Sequence, residues 1–202
     1  MKRPHRHFPE RFPSWAVVLA FAIVAISSPL ARGDDAATAN SEISRKIDLK
    51  SPRDALPDIA FFDADAREHT FKEFQGKGFL LNIWATWCIP CQREMPTLNN
   101  LSAILRDKGI PVLALSVDRA PFSKISRFID KRGFTNLKVF QDVRGAVARK
   151  LDIQGLPTTI IVDAQGREIG RIVGIAEWDS PENIKTILKF LDTPPDLTSA
   201  RR

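Results

Sequence analysis

Trp84-Ala-Thr-Trp-Cys-Ile-Pro-Cys-Gln-Arg-Glu-Met-Pro96 holds both cysteines of a 202-residue chain, Cys88 and Cys91, spaced Cys-Ile-Pro-Cys. In front lies a buried-strand run, Phe79-Leu-Leu-Asn-Ile-Trp84, and behind lies a helical stretch, Gln92 to Arg106. The pair therefore falls at a strand-to-helix turn, with Cys88 at the helix N-terminus. Unpaired N–H groups and the positive end of the helix dipole stabilise a thiolate there, bringing a thiol from about 8.5 to roughly 7 or lower. Cys88 is the expected nucleophile. Cys91, one turn further in on the same face, is expected to be more buried and to resolve what Cys88 captures.

Other uses of two cysteines are weaker. A structural disulfide closing so short a loop removes little unfolded-state entropy. A zinc site would have two thiols and His69, the single histidine beyond the first 33 residues, which gives three ligands at best and no pairing motif. Copper capture stays open, because soft thiolates favour Cu(I). An added histidine or methionine beside the thiols would favour it, and Met95 is the nearby candidate. No cofactor is expected beyond the dithiol/disulfide itself.

On either side of this motif the chain alternates between two periods. Extended segments are expected at about 58–62, 67–71, 79–84, 111–117, 137–140, 158–163 and 167–173, and helices at about 90–107, 121–132, 145–152 and 181–192. Strands flanked by helices give an α/β sheet. Asp163-Ala-Gln-Gly166, between two β-branched runs, closes it with an antiparallel hairpin. Ser180-Pro181-Glu182 reads as a helix start. The domain is expected over 57–193, with a tail over 194–202.

The N-terminus reads as an address. Met1 to Pro13 is basic, and Trp15 to Ile26 runs without a charged or polar side chain. Ala31-Arg32-Gly33 supplies small residues for cleavage, so 1–33 is a signal peptide or an N-terminal membrane anchor. Even extended to Leu30 the run falls short of the roughly 20 residues that span hydrocarbon comfortably, which favours removal. Either way a periplasmic location is expected, soluble or tethered by 15–30. Residues 34–56, charged and poor in large apolar side chains, read as a flexible linker.

The formal charge of +6 suggests nucleic acid until it is located. Lys2, Arg3, Arg6, Arg11 and Arg32 face Glu10 alone within 1–33, and the remainder mixes both signs. That reads as a solvated mixed surface rather than a phosphate-binding stripe, and no nucleic-acid partner is expected.

Trp84 to Pro96, with Gly155-Leu-Pro-Thr158 and Gly174-Ile-Ala-Glu-Trp-Asp-Ser-Pro181, resembles thioredoxin-like proteins of the TlpA type. These are exported thiol:disulfide interchange proteins whose relatives serve cytochrome c maturation and copper-centre assembly. The resemblance covers about 57–192. It implies a thioredoxin-like fold: a central mixed β-sheet with helices on both faces and an N-terminal β-hairpin extension at about 58–71.

The same resemblance implies roles for residues that are ambiguous by themselves. Pro157 would be a cis proline beside the dithiol, turning Leu156 toward an extended substrate; read alone it is a trans proline opening an edge strand, and the resemblance reverses that reading. Trp87, Pro90, Leu156, Pro157 and Thr158 are the expected substrate-binding residues. Glu94, three residues past Cys91, would relay its proton, although an isolated helical glutamate is usually solvated surface. Asn82 departs from ordinary thioredoxins, which carry a buried acid there, and moves proton handling toward Glu94. Trp84 reads as core packing, Pro96 as a kink, and His69 as a hairpin residue without a role.

The implied activity is that of a protein-disulfide reductase. The Ile-Pro dipeptide lacks the histidine that stabilises the reduced form in strong oxidants of this fold. With one cysteine pair and no nicotinamide or flavin fingerprint, its electrons must come from a partner, by resemblance a membrane thiol transporter. Clients would be protein disulfides of apocytochrome c or copper-centre assembly proteins, met by a monomer. The alternative is a copper-binding assembly chaperone using the same thiols. A peroxidase lacks its proline-threonine-cysteine segment, and an isomerase lacks a dimerisation domain.

Overall fold

The computed structural model describes residues 41–192. The segment read as signal peptide or anchor and the tail beyond 193 lie outside the described residues. Among those described, no helix is long and apolar enough to cross a membrane.

In chain order the elements are α1 (Glu42–Lys46), β1 (Asp48–Leu49), β2 (Phe61–Phe62), β3 (Glu68–His69), a 3-10 turn (Phe71–Phe74), β4 (Phe79–Trp84), α2 (Ile89–Arg106), β5 (Val112–Ser116), α3 (Phe122–Arg132), β6 (Lys138–Gln141), α4 (Ala146–Lys150), β7 (Thr158–Val162), β8 (Glu168–Val173) and α5 (Pro181–Asp192). The strands form one sheet in the order β1-β8-β7-β4-β5-β6-β2-β3. β4, β5 and β6 run parallel, and β7 and β8 return antiparallel through the Asp163–Gly166 turn. The sheet is mixed, as expected.

β4 is buried along its whole length because both faces are covered. Its side chains alternate accordingly. Leu80 and Trp84 join Val112, Ala114 and Ile161 under α2, α3 and α5, with Cys91 and Met95 in the same cluster. Phe79, Leu81 and Ile83 join Leu113, Leu115 and Ile160 on the other face, under Phe71, Val147 and Leu151. Helices thus lie on both faces of a thioredoxin-like core.

The N-terminal hairpin forms where expected, with Phe61 opposite His69, and β2 adds to the sheet through Phe62 and Gln141 on β6. His69 is fastened rather than free: its ring nitrogens lie 3.0 Å from Asp63 Oδ2 and 2.8 Å from Glu73 Oε2. Bonding to Asp63 first, then Glu73, raises the imidazole above its usual value.

The linker expected over 34–56 is corrected in its described part. Ser41 caps α1 by accepting the Ser44 N–H at 3.1 Å, and Ile43 is fully buried. β1 pairs with β8 through Asp48–Arg171 and Leu49–Gly170. Gly170 permits that pairing, since a Cβ there would stand 2.7 Å from the Asp48 carbonyl oxygen. The described fold therefore already includes Ser41 to Leu49, ahead of Pro57. The segment's polarity misleads because one isoleucine and a few hydrogen bonds suffice to dock so short a piece.

Candidate active site

Cys88 is the N-cap of α2, placed there as β4 ends and Pro90 opens the first turn. Its Sγ accepts the Cys91 N–H at 3.2 Å, so the sulfur occupies the position of a capping oxygen. The two cysteines form a disulfide. Cys88 is 5% exposed and Cys91 is completely buried, the order expected for an attacking and a resolving thiol. Trp87 and Ile89 stand out beside them at 66% and 58% exposure, and Pro90 is exposed too.

The turn is held from below by residues that reading the sequence missed. The Thr86 N–H and hydroxyl both donate to the Asp118 carboxylate, at 2.8 and 2.7 Å. The Ser116 hydroxyl donates to the same carboxylate at 2.6 Å. Gln92 Nε2 donates to the Thr86 carbonyl at 2.7 Å, tying the turn to the helix. An aspartate directly after the apolar run Val112-Leu-Ala-Leu-Ser-Val117 was the available signal.

Glu94 is almost wholly buried, at 2% exposure, and is not a surface glutamate. It accepts from Asn82 Nδ2 at 2.8 Å, Trp178 Nε1 at 3.0 Å and the Ala176 N–H at 3.3 Å. Burial pushes its carboxyl up to about 7, while the bonds from Trp178, Asn82 and Ala176 pull the other way. Asn82, the departure from the ordinary pattern, thus touches Glu94 directly, and also donates to Thr159 Oγ1 at 2.8 Å. Trp178 belongs to a stretch already notable in the sequence, yet nothing there disclosed that its indole reaches α2.

The Leu156–Pro157 peptide bond is cis. Pro157 is buried and Leu156 half-buried. The Pro157 carbonyl accepts the Gly174 N–H at 2.8 Å, whereas the N–H and C=O of Leu156 have no hydrogen-bond partner among the described residues. Thr158 is buried and gives its hydroxyl to the Gly155 carbonyl at 2.7 Å, so its side chain braces this loop. Trp84 is core, as expected, against Phe128. Met95 is fully buried in the core cluster. Pro96 lies inside α2, which continues through it.

A dithiol at a helix N-terminus, a buried acid in the same helix and a cis-proline loop invite comparison with known proteins. Residues 51–188 match the Redoxin family. The chain belongs to that family. This redoxin is 33% identical over 132 residues to the thiol-disulfide oxidoreductase ResA of Geobacillus thermodenitrificans, covering 65% of this chain and 75% of the relative. It is 36% identical over 124 residues to ResA of Oceanobacillus iheyensis, covering 59% and 63%. Among solved structures it resembles a putative thiol:disulfide interchange protein DsbE from Chlorobium tepidum, with a TM-score of 0.62, 26% identity, and coverage of 71% and 99%. A secreted thiol-disulfide isomerase from Corynebacterium glutamicum shares the fold, with a TM-score of 0.61, 23% identity, and coverage of 76% and 96%. This redoxin is a thiol-disulfide oxidoreductase acting on protein disulfides.

Proposed function

We propose that this redoxin is an exported reductant of protein disulfides, serving cytochrome c maturation or copper-centre assembly as a monomer in the periplasm. The Cys88 thiolate attacks one sulfur of a client disulfide, forming a mixed disulfide and expelling the client's other sulfur as a thiolate. Cys91 then loses its proton and attacks Cys88 Sγ. The Cys88–client bond breaks, the client leaves with both thiols reduced, and the redoxin keeps the Cys88–Cys91 disulfide. Two electrons from a membrane thiol transporter restore the dithiol.

The observation that carries this reading is the sulfur cap. A Cys88 Sγ that already accepts the Cys91 N–H at the head of α2 is stabilised further when it carries a full negative charge. Glu94, poised near neutrality in the same helix, is the proposed acceptor of the Cys91 proton, because its protonation can change at working pH. Trp87 and Pro90 would meet the client, and the unpaired backbone of Leu156 beside Pro157 would bond an extended client segment. Supporting direction, no histidine stands between the cysteines to favour the reduced form.

Replacing Cys91 with serine removes the resolving thiol and should trap clients on Cys88. Disulfide-linked adducts isolated from the native compartment, sensitive to reductant and lost in the Cys88→Ser/Cys91→Ser double variant, are the expected outcome. Absence of adducts, together with tight Cu(I) binding by the wild type, would contradict the proposal and point to a copper carrier.

A further inference from the structure

Beside the dithiol runs a groove of about 700 Å³, bounded by Trp87 on the cysteine side and Leu156 on the proline side. Ile153 contributes to an apolar floor, and three arginines, Arg119, Arg144 and Arg149, line the groove. All three are exposed. Among the described residues none of them has a carboxylate within ion-pair distance. Arg149 Nη1 donates to the Arg144 carbonyl at 2.6 Å, which holds that guanidinium against its own loop.

The lining has one acid, Asp118, and it is not available to neutralise them. It is 3% exposed and already accepts from Thr86 and Ser116. Asp142, on the same side of the fold, is 2% exposed and turned inward, accepting the Ala146 and Ala148 N–H groups at 2.8 and 2.9 Å. Elsewhere Arg67 pairs with Asp63 and Asp65, and Arg171 pairs with Glu168. The groove thus collects positive charge without its counterpart, next to the unpaired N–H and C=O of Leu156.

We propose that this groove receives the acidic flank of the client: an extended segment with aspartate or glutamate close to its disulfide cysteine. The inference deepens the redox reading of the dithiol and rests on it. An extended segment entering at Leu156 forms backbone bonds there and presents alternate side chains to the groove. An apolar residue is accepted by the floor, and a carboxylate meets guanidinium groups that bind it in a two-pronged fashion. Because the arginines are exposed, the attraction acts mainly on encounter and weakens with salt.

The test uses the full-length, reduced protein and three synthetic disulfide peptides that differ only beside the reactive cysteine, carrying two glutamates, two glutamines or two lysines. At low ionic strength the wild type should reduce the glutamate peptide about tenfold faster, in kcat/KM, than the glutamine peptide, with the lysine peptide slowest. The ratio should shrink toward one in molar salt. In the triple variant Arg119→Gln, Arg144→Gln, Arg149→Gln the glutamate-to-glutamine ratio should fall to within about twofold of one. Arg127→Gln, on the exposed face of α3, should keep the wild-type ratio. Turnover of the glutamine peptide with a glutamate ratio of one or less overturns the groove assignment alone. A ratio that survives the triple substitution does the same. Failure to reduce any of the three overturns the redox reading, and this inference with it.

Discussion

Glu94 sits between two demands. Its carboxylate has three donors, yet burial outweighs them and leaves it near neutrality. A carboxyl raised in the native state favours folding fully below its unfolded value, near 4.5, and loses that contribution as pH rises through about 7. The span corresponds to on the order of 3 kcal/mol. Glu94→Gln should therefore flatten the fall in stability between pH 4.5 and 7, measured by denaturant unfolding at several pH values. The same variant should slow release of a mixed disulfide at neutral pH without slowing the first attack. Unchanged resolution kinetics would remove Glu94 from proton handling. Trp178→Phe takes away one donor to the carboxylate and should move the pH midpoint of resolution upward in the wild-type background. At this scale the two cysteines were legible because their chemistry is written in a short contiguous pattern, whereas the cis bond at Pro157 followed only from the family resemblance. The Asn82–Glu94–Trp178 contact was not legible. Three side chains from a strand, a helix and a late loop meet only after the sheet has folded.

The element that sequence periodicity missed reaches the site from outside. The Ile43 N–H donates to Asn183 Oδ1 at 3.2 Å, and Thr186 donates to Ser41 Oγ at 2.7 Å, so α1 is docked on α5. From there Glu42 accepts the Glu177 N–H at 2.9 Å, and Lys46 Nζ donates to the Ile175 carbonyl at 2.6 Å. That loop is the one that delivers Ala176 and Trp178 to Glu94. Ile43→Ala should cost about 2–4 kcal/mol, as a buried large-to-small change does. It should also broaden or shift the pH midpoint of resolution, as the loop loses its clamp. Loss of stability with an unmoved midpoint would make α1 a packing element only. A five-residue helix with one buried side chain has no periodicity to detect. By contrast α2, α3, α5 and the central strands are long enough for their patterns to stand out, and they lie within a residue or two of their expected bounds.

Across the whole molecule the sheet does two things for the dithiol. Two apolar layers fix β4 on both faces, so the turn that follows it is aimed by rigid structure rather than by its own loop. The antiparallel pairing of β7 with β4 sets the Leu156–Pro157 loop at the same end of the sheet as the dithiol turn, and the groove lies between Trp87, the segment after β5, the start of α4 and residues 153–156. The alternation of extended and helical segments along the sequence made this architecture legible in advance, since apolar strand runs flanked by helical periods have few other solutions. The groove's charge was hidden for a different reason. Arg119, Arg144 and Arg149 are scattered among mixed charges in the sequence and become neighbours only through the fold. All of it serves one sulfur at the head of a helix. The direct test is the pH dependence of Cys88 alkylation in the reduced protein, with modification at Cys88 confirmed by peptide mass. The rate should already be near its plateau at neutral pH, with a midpoint at about 7 or lower. A thiol that stays inert until pH approaches about 8.5, the value of an unassisted cysteine, would contradict it.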